Sequence, residues 1–103
     1  MALGVDMLSS QGGTDQFPEA AQQTAAYNRT TVQGRLEDMY ASLGFLKRQA
    51  QTQWDSIGCV GFCAGGGNSL QFAVGTSELK AAVAFYGTPI PPAEQLEGLN
   101  AAL

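Results

Sequence analysis

The sequence predicts an α/β fold, with parallel strands and flanking helices. Three observations carry the prediction. Apolar runs at residues 2–8, 56–62 and 80–86 read as strands. Helix-compatible stretches separate them, and a strand–helix–strand order implies a parallel sheet. The middle run, Ser56-Ile57-Gly58-Cys59-Val60-Gly61-Phe62, is apolar without clean alternation. That pattern suits a strand buried on both faces.

The elements follow in order. Ala2 to Leu8 is short and β-compatible, and it ends in the loop composition Ser9-Ser10-Gln11-Gly12-Gly13. Residues from about Pro18 to Tyr27 read as a helix, because Pro suits a first helical position and Ala20, Ala21, Ala25 and Ala26 favour helix. A longer helix starts near Thr30, where Thr30-Thr31-Val32-Gln33 has the form of a capping box. Val32, Leu36, Met39, Tyr40, Leu43 and Leu46 fall on one apolar helical face, and Glu37 and Asp38 read as a solvated one. After the middle strand a helix is expected over about residues 65–74. The last full strand, about Lys80 to Tyr86, stops at Gly87-Thr88-Pro89-Ile90-Pro91-Pro92, since prolines cannot continue a ladder. No internal repeat is visible.

Composition excludes several roles. With five basic residues and a net charge of −4, the chain lacks the clustered Lys and Arg of a nucleic-acid binder. No apolar run reaches membrane-span length and no basic amphipathic stretch suggests a membrane surface. The N-terminus has no signal-peptide pattern. Two cysteines make no disulfide framework. A reduced, cytoplasmic setting is expected, with no cofactor and no metal. There is no histidine.

The most informative segment is Val60-Gly61-Phe62-Cys63-Ala64-Gly65-Gly66-Gly67. It has the form G-x-C-x-G directly after a strand and before a helix. That is the pattern of a nucleophile elbow, where small residues let the chains approach and the nucleophile project. Gly61, Gly65 and Gly66 are the expected structural glycines. Cys63 would sit before a helix N-terminus, where N–H groups and the dipole favour a thiolate. The Ala64 N–H would supply one oxyanion-hole donor. A phosphate loop is excluded because no Lys follows until Lys80, and a dinucleotide fingerprint fails at Leu70. An inert, buried Cys on a Gly-rich turn remains the other reading. Cys59 reads as core packing. Four residues of strand put it about 13 Å from Cys63, too far for a disulfide. Two cysteines without His do not complete a zinc site. Trp54 reads as packing and Asp6 as a loop-ordering residue, while Tyr86 ends a strand on the carboxyl side, where α/β sites lie.

These residues resemble the dienelactone hydrolase family of the α/β-hydrolase fold. Three segments carry the resemblance in family order: residues 6–14, residues 57–67 and residues 82–87. The resemblance implies a partial α/β-hydrolase domain over residues 1–103, truncated at both ends. It also implies a gap in the sheet between the strands at residues 2–8 and 56–62. Cys63 would be the nucleophile of a Cys–His–Asp triad that hydrolyses cyclic or activated esters through a thioester. Beyond Cys63 the chain has no Asp and no His, only Glu78, Glu94 and Glu97 as acids. The expected function is therefore ester or lactone hydrolysis, with the chain inactive alone. The family often places an Arg where Ser10 stands, which counts against an anionic lactone as substrate; Ser10 and, from its place at a strand end, Tyr86 are the expected pocket residues for a small-molecule ester or lactone. The alternative is a non-catalytic interaction module, a homo-oligomer formed through exposed sheet edges.

Overall fold

The computed structural model describes all residues, Met1–Leu103. The chain forms two compact units, residues 1–50 and residues 51–103.

The first unit is irregular at its start and helical thereafter. Two 3₁₀ turns, Ser9–Gln11 and Thr14–Gln16, precede helices α1 (Ala20–Arg29) and α2 (Val32–Lys47). The expected strand over residues 2–8 does not form: residues 1–6 have no regular structure and Met7–Leu8 begin a turn. A strand exists only through ladder hydrogen bonds, and residues 1–50 contain no other strand to pair with it. With it goes the expected gapped sheet.

The capping chemistry is shifted from the sequence expectation. Helix α1 starts after Glu19, where Glu19 and Gln22 exchange side-chain-to-backbone hydrogen bonds as a capping box. Pro18 lies outside the helix. Thr31, not Thr30, caps α2 by accepting the Gly34 N–H at 3.0 Å. Thr30 ends α1 instead, and its hydroxyl bonds the Tyr27 carbonyl and the Arg35 guanidinium. Either threonine has the chemistry of a cap; the position of the break between helices decides. Arg35 also lies over the Tyr27 ring, 4.7 Å from its centre. On α2, Met39 and Leu43 are buried as expected, but Val32 and Tyr40 are exposed.

The second unit is built on one strand–helix–strand module. Strands β1 (Gly58–Phe62) and β2 (Ala81–Phe85) pair in parallel, with Gly58 opposite Ala81 and Phe62 opposite Phe85. Helix α3 (Ala64–Gly75) packs on both strands. Ala102 adds a parallel bridge beside Ala81: its N–H donates to the Lys80 carbonyl and its carbonyl accepts the Ala82 N–H. A short helix, α4 (Ala93–Leu96), follows the prolines and was not expected from the sequence. Ile57, Phe72, Ala73, Leu79, Ala82 and Ala101 are the buried apolar residues of this unit.

Two sequence expectations fail here. Strand β1 is not buried on both faces: Val60 and Phe62 are more than half exposed, and Val83 and Phe85 beside them are nearly so. Only the face carrying Cys59, Gly61 and Ala82 turns to α3 and the interior. An apolar run specifies a strand, not what covers each side of it. Trp54, expected to pack, is 65% exposed in the turn before β1. No helix is long and apolar enough to cross a membrane.

Candidate active site

The site is assembled at the carboxyl ends of β1 and β2. Strand β1 ends at Phe62 and helix α3 begins at Ala64, leaving Cys63 alone to turn the chain. Its backbone sits at φ 54° and ψ −122°. A non-glycine residue there is strained by about 1–3 kcal/mol and persists only where neighbours hold it. They do so from three directions. The Cys63 N–H donates to the Phe85 carbonyl at 3.0 Å, and its own carbonyl accepts the N–H groups of Gly67 at 3.1 Å and Thr88 at 3.3 Å. The thiol is free and exposed. Ala64 is the first residue of α3, so its N–H has no helical acceptor.

Glycines make this turn sterically feasible. A Cβ on Gly61 would lie 2.1 Å from the Gly65 carbonyl oxygen, inside any real contact. One on Gly66 would lie 2.8 Å from the Gly87 Cα. One on Gly67 would lie 2.2 Å from the Thr88 carbonyl oxygen. The first turn of α3 thus rests directly on backbone. Gly65 differs: a Cβ there meets nothing within 4 Å, so the expected need for a small residue at that position is not steric. What matters at position 65 is the carbonyl that Gly61 approaches. The sequence assigns no steric role to Gly67, Gly87 or Thr88. The available signal was two glycine-containing loops, each at the end of an apolar run.

Tyr86 follows Phe85 as Cys63 follows Phe62, one step past the last paired residues. It too has positive φ, 42°, and these are the two non-glycine residues with that backbone. Its ring is 74% exposed and lies 6.3 Å from that of Phe62. Cys59 contrasts with Cys63. It is half-buried on the face toward α3, its Sγ 3.7 Å from the Ser69 carbonyl. Burial pushes its thiol up, against a smaller opposing effect of the Ser69 side chain.

Ser10 and Asp6 belong to the first unit. Ser10 is exposed in the first 3₁₀ turn. The Asp6 carboxylate accepts the N–H of Leu8 at 2.9 Å, the N–H of Thr14 at 2.8 Å and the Thr14 hydroxyl at 2.7 Å. The Thr14 hydrogen bonds, then that of Leu8, hold its carboxyl below the ordinary value. It orders the loop, as expected. It also edges an open cleft lined by Leu3, Ser9, Asp38, Ser42 and Phe45.

A residue with positive φ, exposed between a parallel strand and a helix, is the arrangement on which α/β-hydrolases seat a nucleophile. The model of the dienelactone hydrolase family matches residues 1–103, the full length of the chain. The chain belongs to that family, and membership places it among hydrolases in general. No curated protein matches it.

Proposed function

We propose that the chain carries the nucleophile of an ester or lactone hydrolase and that Cys63 is that nucleophile. The observation that carries the reading is the exposed Cys63 thiol on a positive-φ turn between β1 and α3. In the proposed chemistry the Cys63 sulfur attacks the ester carbonyl carbon. The Ala64 N–H stabilises the resulting oxyanion. The C–O bond then breaks, the thiol's proton passes through solvent to the departing alkoxide, and a thioester forms. Gly61, Gly65 and Gly66 shape the turn, and Tyr86 borders the acyl group. A neutral activated ester is the simplest probe of the thiol. The chain has no imidazole to activate water against the thioester. It is therefore expected to acylate once and stall.

The test is mass spectrometry of the undenatured chain exposed to a p-nitrophenyl ester. The expected result is one acyl group on Cys63, none on Cys59, and a single burst of p-nitrophenol that is absent in Cys63→Ala. Labelling of Cys59 with Cys63 untouched would sink the nucleophile assignment. Sustained turnover that depends on Cys63 would overturn the stall. A second reading, association without catalysis, is favoured by the exposed apolar face of the β1–β2 sheet.

A further inference from the structure

Cys63 holds ψ at −122°. Tetrahedral geometry sets Cβ about 120° from the residue's own nitrogen around the Cα–C bond. At this ψ, Cβ therefore eclipses the nitrogen of Ala64. In a helix or a strand, with ψ about −42° or +135°, the same two atoms stand about 80° or 105° apart. Sγ is thus one bond beyond an atom that already eclipses the next backbone nitrogen. The hydrogen bonds from Phe85, Gly67 and Thr88 fix that dihedral. Two further observations concern what the sulfur can meet. Ala64 opens α3, so its N–H has no helical acceptor to lose. The second thiol, Cys59, is half-buried with its Sγ at the Ser69 carbonyl, whereas the Cys63 thiol is exposed. About 13 Å of strand separates the two residues.

We propose that Cys63 is a reversible redox switch: once oxidised by a peroxide, its sulfur closes onto the Ala64 nitrogen as a cyclic sulfenyl amide. In the first step the sulfur attacks one peroxide oxygen, the O–O bond breaks and hydroxide leaves. Sulfur is oxidised by two electrons, the peroxide is reduced, and Cys63 becomes a sulfenic acid. In the second step the Ala64 nitrogen gives up its proton and attacks the sulfur. The S–O bond breaks, and hydroxide and the proton depart as water with no further electron transfer. The ring comprises Sγ, Cβ, Cα and the carbonyl carbon of Cys63 with the nitrogen of Ala64. A sulfenic acid condenses with a thiol, condenses with a backbone nitrogen, or climbs to the irreversible sulfinic acid. Distance closes the Cys59 branch, and the eclipsed dihedral favours the ring. An added thiol reverses it. The thiol attacks the sulfur, the S–N bond breaks, the nitrogen regains a proton, and a second thiol releases Cys63 from the mixed disulfide. As regulation this rests on the nucleophile reading above, because the ring removes the nucleophile and the Ala64 oxyanion donor in one event.

The test is intact-mass spectrometry of folded Cys59→Ala treated with stoichiometric hydrogen peroxide. Cys63 is the one thiol left in this variant, so no internal disulfide can mimic the ring. The expected product is about 2 Da lighter than the starting chain, the mass of two hydrogens, and is returned to the starting mass by dithiothreitol. It should not react with dimedone, which captures sulfenic acids. Oxidation should abolish the p-nitrophenol burst, and reduction followed by removal of the reductant should restore it. The same variant oxidised in urea, where ψ is free, should give the sulfinic acid, about 32 Da heavier. Wild-type chain, fragmented to place the change on residues 63–64, gives the same readout without a substitution. Sulfinic acid from the folded chain, with no lighter species, would overturn the proposal. An equal yield of the lighter species in urea would overturn its geometric basis. Acylation without ring closure would sink the switch and leave the nucleophile assignment standing. Ring closure in a chain that never acylates would sink the nucleophile assignment and the regulatory role with it.

Discussion

In residues 1–50 one carboxylate organises irregular backbone; in residues 51–103 missing side chains do. Asp6 gathers Leu8 and Thr14 by accepting three hydrogen bonds, and the loop closes around it. Around Cys63 the backbone is organised by close approach: Gly61 to Gly65, Gly66 to Gly87, Gly67 to Thr88. The first arrangement is electrostatic and reversible by a proton. The second is steric and has no adjustable part, because backbone against backbone cannot yield. A loop that tolerates adjustment suits the first kind of order. A turn that must hold a projecting side chain at an unfavourable dihedral needs the second.

The comparison breaks most sharply at the glycines. Gly67→Ala or Gly61→Ala should destabilise the second unit by about 3 kcal/mol or more, since the new methyl meets backbone and not a movable side chain. Urea unfolding followed by circular dichroism would measure it, and a loss below about 1 kcal/mol would mean that the close contacts relax easily. Asp6→Asn should act more locally. Hydrogen exchange at the Leu8 and Thr14 amides should quicken about tenfold with little change elsewhere. The same protection should depend on pH with a definite sign. The folded-state carboxyl is lowered, so its contribution is complete above the ordinary carboxylate value and is lost as pH falls through the lowered one. Protection unchanged at pH 2, or equally acid-sensitive in Asp6→Asn, would remove Asp6 from this role. The smallest effect is expected from Gly65→Ala. The position is open and helical, so Ala should stabilise the chain by up to about 1 kcal/mol through helix propensity. A large loss there would show that space alone does not govern this turn.

Much of this was legible in the sequence where the signal is local. The strand-to-helix turn at Cys63 is legible because its glycines, its cysteine and the preceding apolar run are contiguous. Asp6 is legible as a loop-ordering residue because it closes an apolar run just before a loop composition. Helix α2 followed from its periodicity, although Val32 and Tyr40 stayed outside its buried face. What the sequence hides is partnership. Residues 2–8 have β composition, but composition does not supply a neighbouring strand. Val60 and Phe62 are as apolar as a fully covered strand, yet nothing in a single strand says what lies over it. Gly87 and Thr88 are more than twenty positions from the glycines they meet, and only the parallel register of β1 and β2 brings them together.

The way Cys63 is pinned has a consequence for portability. Its N–H is held by Phe85 and its carbonyl by Thr88, so the turn is not a property of the eight residues that spell it. Grafted alone into another scaffold, residues 60–67 would relax to an ordinary dihedral and lose the projecting thiol. The smallest transplantable piece runs from Gly58 through Thr88. Within that piece the loop at residues 76–80 is the place to lengthen, since each doubling of a flexible loop costs only about 0.6 kcal/mol. An insertion between Phe85 and Thr88 would instead slide one clamp past the other and release the elbow.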